Sequence, residues 1–344
     1  KTAGVVTATL APTAIADLAS LSTTSTDEIT VTVSNTPTIG ELNALAGKTA
    51  GVVTATLAAN SLSNLGALTT AATDVITITV NDGDTDAVTA SDLSTLGGKT
   101  AGTVTVSNAV AITGDHDQLT AALVTAGTKV EVSNATVTVN DANTTAITAA
   151  ELSAIGGATT GQVTVTNAVA ITGSVAEVTA ALVTADTLVV LDDATVTVTG
   201  TPTISELNAI AAKTTGVVTA TLAANSLANL AALTTASTDA ITITVNDADA
   251  AALTAANLST LGGKTAGTVT VSNAVAITGS VAEVTAALVT AGTLVEVSNA
   301  AVTVTGTPSI TELNNIAAQT TGVVTATLAA TTLSNLGSLT TAST

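Results

Sequence analysis

The chain has 344 residues, 46% of them hydrophobic and 9% charged, with 25 acidic and 6 basic side chains giving a formal net charge of −19. Phe, Tyr, Trp, Cys and Met are absent, which excludes an aromatic core, disulfides, thiolate metal ligands and cysteine chemistry. All six basic residues are lysines, too few for a nucleic-acid footprint, and Thr, Ser or Asn interrupts every apolar run before it reaches the roughly 18 residues of a membrane span.

Taken in order, the chain repeats a short pattern. Strand starts are predicted at Val5, Glu28, Val52, Val75, Thr103, Lys129, Gln162, Leu188, Val217, Ala240, Thr268, Leu294 and Val323. These define thirteen modules of about 26 residues, a period that belongs to stacked solenoids. In Ile76-Thr-Ile-Thr-Val80 the aliphatics face one side and the threonines the other, which is the pattern of a half-buried strand. Later in a module the period lengthens to that of a helix. Ser205-Glu-Leu-Asn-Ala-Ile-Ala-Ala212 puts Leu207 and Ile210 on one stripe, with Thr201 and Pro202 read as N-cap and first helical residue. Helical turns are also predicted at residues 89–96 and 254–261, each ending in a glycine pair, Gly97-Gly98 and Gly262-Gly263, read as left-handed C-terminal caps.

A single module holds too few aliphatics to offset its own backbone entropy, so neighbours must stack. The expected fold is an α/β repeat solenoid: parallel strands stacked about one per 26-residue coil, with short helices on the opposite side. The alternative is a parallel β-helix in which the helical turns form a third face. Residues 1–344 are expected to make a single continuous solenoid of about thirteen coils, roughly 60 Å long at one strand spacing per coil.

Longer repeats overlie the short one. Thr103-Val-Thr-Val-Ser-Asn-Ala-Val-Ala-Ile-Thr-Gly114 returns unchanged at residues 268–279, a shift of 165, and residues 36–45 return with two changes at 201–210 by the same shift. A second shift, of 106, relates residues 217–222 to 323–328. Residues 1–10 repeat residues 48–57, and residues 340–344 repeat 234–238 up to the point where Asp239 would follow. The expectation is an interior fragment of a longer repetitive chain.

Strands of the form V-x-V-x-N-A followed by L-x-x-L turns make the chain similar to leucine-rich-type solenoids, although Asn108 follows Val106 by two residues where that consensus has three. The Ala/Thr/Val/Asn/Asp/Gly alphabet resembles the giant repetitive cell-surface proteins of marine cyanobacteria, including the type associated with swimming. The resemblance covers the whole chain and implies export to the cell surface.

Few side chains point to chemistry. Asn81-Asp-Gly-Asp-Thr-Asp86 spaces Asp82, Asp84 and Asp86 so that alternate carboxylates could converge on calcium, and residues 246–250 keep two of the three. The corner asparagines Asn108, Asn134, Asn167, Asn273 and Asn299, with Asp193 in the equivalent place, are expected to stack as a structural ladder of side-chain amides. His116, the one histidine, sits at a predicted helix start beside Asp115 and has no nucleophile motif near it in the sequence. No G-x-S-x-G elbow and no phosphate-binding G-x-x-x-x-G-K-[ST] loop occurs.

Thr-x-Thr pairs recur at residues 7/9, 30/32, 54/56, 77/79, 219/221, 242/244 and 325/327, an array of the kind found on ice-binding solenoids. The function expected is therefore non-enzymatic: a structural component of an extracellular bacterial fibre, filament or surface coat. A calcium-dependent adhesin and an ice-binding solenoid are the alternatives. Expected partners are further copies or further repeats, other surface proteins and polysaccharide, with no nucleic acid and no membrane span.

Overall fold

Val-Thr alternation gives strands whose aliphatic face is buried, and the L-x-x-L segments give one helical turn or two whose leucines meet that face. The computed structural model describes residues 4–187, 189–293 and 295–340. Among them are thirteen α-helices and 21 strands, the strands lying in four all-parallel, open sheets. The fold is an α/β repeat solenoid. Each coil carries an α-helix where a parallel β-helix would carry a further strand ladder, so the parallel β-helix alternative is not adopted.

The chain divides into two compact units, Lys1–Val169 with Ala180–Asp192, and Ala170–Thr179 with Asp193–Thr344. In the first unit Thr7–Thr9, Glu28–Thr32, Val53–Thr56, Val75–Val80 and Val104–Val106 pair in chain order. A second ladder joins Ala87–Thr89, Ala111–Gly114, Thr136–Val139, Val163–Val165 and Val189–Val190. In the second unit Ala170–Ser174, Thr195–Thr199, Val218–Thr221, Ala240–Val245, Val269–Val271 and Glu296–Val297 form one ladder. Ala252–Thr254, Ala276–Ser280, Ala301–Thr305 and Val324–Thr325 form another. Spatial order follows chain order throughout, which is what a solenoid of successive coils requires.

Helix starts recur at the predicted module spacing, but the expectation of one strand per coil needs correction. The coil containing Val75–Val80 carries a second strand, Ala87–Thr89, before its helix Ala90–Gly97, whereas the shorter coil of Glu28–Thr32 runs directly into Ile39–Ala46. The extra residues of the longer modules are spent on the second strand and its turn. At Lys129 the chain makes one parallel bridge, Thr105 to Glu131, where a strand was expected. Two other predicted starts, Leu188 and Leu294, lie outside the described residues, as do residues 1–3 and 341–344.

The interior is built from small aliphatics. Ile76, Ile78 and Val80 are fully buried on one side of their strand, and Leu93 and Leu96 bring the following helix onto the same core. The second unit repeats this with Ile241, Ile243 and Val245 against Leu258 and Leu261. Thr77 and Thr242, between them in sequence, face solvent.

Two cap assignments change. Thr203 caps the helix Ile204–Ala211, not Thr201, and forms a reciprocal box in which Glu206 N–H donates to Thr203 Oγ1 and Thr203 N–H donates to Glu206. Pro202 is buried one residue before the cap and Leu207 at the fourth helical position, the pattern of a hydrophobic staple. The glycine pairs are not left-handed caps either: Gly98 has φ −69° and Gly263 φ −70°. Their partners Gly97 and Gly262 answer to space. A Cβ there would fall 2.1 Å from Thr128 O and 2.2 Å from Thr293 O, so only glycine lets the helix approach that main chain.

Candidate functional site

The recurrent polar residues meet at the junctions between coils. The acidic loop at residues 81–86 holds the candidate metal ligands Asp82, Asp84 and Asp86. Asp82 Oδ2 accepts from the Leu62 amide at 2.7 Å, Asp84 Oδ1 from the Ala109 amide at 2.9 Å, and Asp86 Oδ2 from the Gly83 amide at 2.7 Å. The three carboxylates are thus aimed at three different backbone donors. The expected convergence on one point is not adopted, and no group of three or more His, Cys, Asp or Glu side chains is placed to hold a metal ion among the described residues.

Leu62 opens the helix Leu62–Leu65 of the preceding coil, so Asp82 caps that helix from the next coil while Ser61 caps it from within. The device recurs. Asp247 Oδ2 accepts from the Leu227 amide at 2.7 Å, Asp141 Oδ2 from the His116 amide at 2.8 Å, and Asn35 Oδ1 from the Ile15 amide at 2.8 Å. First-turn amides have no partner within their own helix, which makes them the natural targets of such side chains.

The corner asparagines do not form an amide-to-amide ladder. Instead Asn108 Nδ2 donates to Asp82 O at 2.6 Å, Asn167 Nδ2 to Asp141 O at 2.6 Å, and Asn273 Nδ2 to Asp247 O at 2.7 Å. Each of these aspartates therefore joins three coils, its carboxylate holding the helix before it and its carbonyl held by the asparagine after it. Asn134 and Asn299 are exposed and accept from the hydroxyls of Ser133 and Ser298; Asp193 is exposed too.

Sequence reasoning missed the most heavily bonded junction, Thr-x-Gly. Thr100 Oγ1 accepts from Ile76 N and Gly102 N, both at 2.8 Å, and faces the carbonyls of Asp74 at 3.0 Å and Ile76 at 2.9 Å. Thr265 does the same with Ile241, Gly267 and Asp239, and Thr49 with Ile29, Gly51 and Asp27. These three buried hydroxyls are satisfied, and the following glycine leaves room for the neighbouring strand: a Cβ on Gly102 would lie 2.3 Å from Ile76 O. The signal was present in the repeated Thr-Ala-Gly and Thr-Thr-Gly triplets, which resemble ordinary loop composition.

A third junction uses aspartates 27, 74 and 239. Asp74 Oδ1 accepts from Val53 N in the preceding coil and Oδ2 from Ala71 N in its own turn, both at 2.8 Å, and Asp239 repeats this with Val218 and Ala236. Hydrogen bonds from the Thr24 and Val6 amides hold the equivalent Asp27 carboxyl below the usual carboxylate range. Glutamates 41, 177, 206, 283 and 312 are held low by the amide and then the hydroxyl of their capping residue, and Glu151 by hydroxyl then amide.

Grooves between a four-residue helix and the eight-residue helix that follows recur with equivalent linings, including Leu62, Thr89, Leu96 and Lys99 in one unit and Leu227, Thr254, Leu261 and Lys264 in the other. Their lysines are spent on the ends of the short helices: Lys99 Nζ donates to Gly66 O at 2.7 Å and Lys264 Nζ to Ala231 O at 2.8 Å.

Threonines pair across the strands in a stepped register, Thr9 with Thr30, Thr32 with Thr54, Thr56 with Thr77 and Thr79 with Thr105. The Thr-x-Thr pairs thus drift diagonally across the sheet by two residues at each step. No family model, curated protein or solved structure matches the chain.

Proposed function

We propose that this chain is a structural repeat segment of a bacterial extracellular fibre, filament or surface coat, working by extension and spacing rather than by catalysis. What supports the reading is the use to which the recurrent polar side chains are put. Thr100, Thr265, Asp74, Asp239, Asp82 and Asp247 each use a side-chain oxygen to join one coil to the next. A design that repeats the same junction along the chain favours length and uniformity. The absence of Cys, Met and aromatic side chains from the sequence leaves little for oxidants to attack, which suits a protein exposed outside the cell.

The reading is tested by immunogold labelling of intact cells of the producing organism, together with negative-stain images of the native material. Label on the outer surface, over filaments or a continuous layer, is the expected result. Label confined to the cytoplasm, or native material consisting of discrete particles without filament or layer, overturns it.

A further inference from the structure

We propose that His116 and Asp141 form a proton-operated clasp between two successive coils of the first unit, one that tightens as the medium is acidified towards pH 6. His116 is the first residue of the helix His116–Leu123, capped from within by Asp115. Asp141 follows the strand Thr136–Val139 in the next coil and grips that residue twice. Its Oδ2 accepts the His116 amide at 2.8 Å, and its Oδ1 lies 2.7 Å from the imidazole Nδ1. The carboxylate is buried, its side chain 5% exposed, and the imidazole is 15% exposed.

The equivalent positions show what the histidine adds. At Asp82 and Asp247 the gripped residues are Leu62 and Leu227, which offer the carboxylate an amide and nothing more. The strength of the second bond at His116 depends on protonation. Because Nδ1 faces a carboxylate, it carries a proton in either form; uptake of a second proton at Nε2 turns a hydrogen bond from a neutral ring into an ion pair with a buried anion.

Among the described residues, the charged groups that act on the ring are Asp141, Asp117 and Glu151, all acidic. Asp141 comes from the next coil, Asp117 Oδ1 stands 3.6 Å from Nε2 on the same helix, and Glu151 acts from the helix Ala149–Gly156. Burial of the imidazole draws its pKa down. The bond and charge of Asp141, with the charges of Asp117 and Glu151, outweigh that and leave it above the ordinary value of 6.5. A folded pKa above the unfolded one adds stability that is fully present below about 6.5 and is lost as pH rises through the folded value. The junction is therefore firmer on the acid side of neutrality, until protonation of carboxylates reverses the trend below about pH 5.

The experiment compares amide-exchange protection factors for residues 116–123 and 136–145 in the whole chain at pH 6 and pH 8, with the His116 titration followed by NMR. The expected results are a titration midpoint above that of the unfolded chain and several-fold greater protection at pH 6 in both segments. His116→Leu, which installs the residue found at positions 62 and 227, is expected to remove the pH dependence while the rest of the chain keeps its protection. Asp141→Asn, which retains an acceptor for the amide, is expected to bring the His116 midpoint down. Equal protection at both pH values, or the same pH dependence in His116→Leu, overturns the proposal.

Discussion

The hydroxyl of Thr100 accepts the Ile76 amide at 2.8 Å and stands 2.9 Å from the carbonyl of the same residue, so one buried oxygen clasps both polar groups of a residue in the preceding coil. With Gly102 N as its second donor, the oxygen has no acceptor capacity left. Thr100→Val keeps the shape and removes the oxygen, leaving the Ile76 and Gly102 amides unmatched. At about 1–3 kcal/mol for each of the two orphans, a loss of roughly 2–6 kcal/mol is expected from urea denaturation. Thr100→Ser retains the oxygen and is expected to cost well under half as much. Equal losses for the two variants would show that the methyl group, not the hydroxyl, holds the junction.

Gly262 and its neighbour Gly263 are adjacent, yet opposite outcomes are expected when each becomes alanine. A Cβ on Gly262 would sit 2.2 Å from Thr293 O, so Gly262→Ala forces the coils apart and lowers the melting temperature sharply. At Gly263 the nearest atom is Ser259 O at 3.5 Å and φ is −70°, so alanine fits, and the loss of unfolded-state freedom makes Gly263→Ala neutral or stabilising by about 0.4–1 kcal/mol. A left-handed cap would give the reverse order, with Gly263→Ala the costly change. Paired melting curves separate the two accounts.

Much of the architecture was legible because period is a local property. Ile76-Thr-Ile-Thr-Val80 and Leu93/Leu96 carry their burial pattern in their own spacing, and the module length follows from counting. The junctions were harder to read, because each is a relation between residues roughly 20 to 27 positions apart. Nothing near Asp82 in sequence says that its carboxylate serves Leu62, and a run of closely spaced aspartates looks the same whether its oxygens converge or diverge. The glycines misled for the same reason: the atom that forbids a side chain at Gly262 belongs to Thr293.

Acid sensitivity should trace to the capping boxes. Glutamates 206, 283 and 312 are held below their ordinary range by the amide and hydroxyl of Thr203, Ser280 and Ser309. A depressed carboxylate contributes stability that is present above its unfolded value and is lost as pH falls through the folded one. Stability is therefore expected to begin falling near pH 4.5, the ordinary glutamate value, and to go on falling below it. Replacing all three by Gln should flatten that slope without dissolving the caps, since Gln118 already closes the Asp115 box through its amide. An unchanged slope of stability against pH in the triple variant would place the acid-sensitive groups elsewhere.

Calcium provides the last test, because it separates a structural loop from a binding module. Asp82, Asp84 and Asp86 each already accept a backbone amide at 2.7–2.9 Å, and the three amides belong to residues 62, 109 and 83. Gathering the carboxylates around one cation would break bonds that hold two neighbouring coils, so binding would have to exceed that loss before it stabilised anything. The expected melting temperature is the same in millimolar calcium as with a chelator, once ionic strength is matched to remove general screening of the net charge of −19. Asp84→Asn, the residue that Asn143 provides when it accepts the Ala168 amide in the sister loop, should be nearly silent. Asp82→Ala should cost about 1 kcal/mol or more, because it uncaps the helix at Leu62. A calcium-dependent rise in melting temperature that disappears in Asp84→Asn would instead establish these loops as metal sites and restore the adhesin reading.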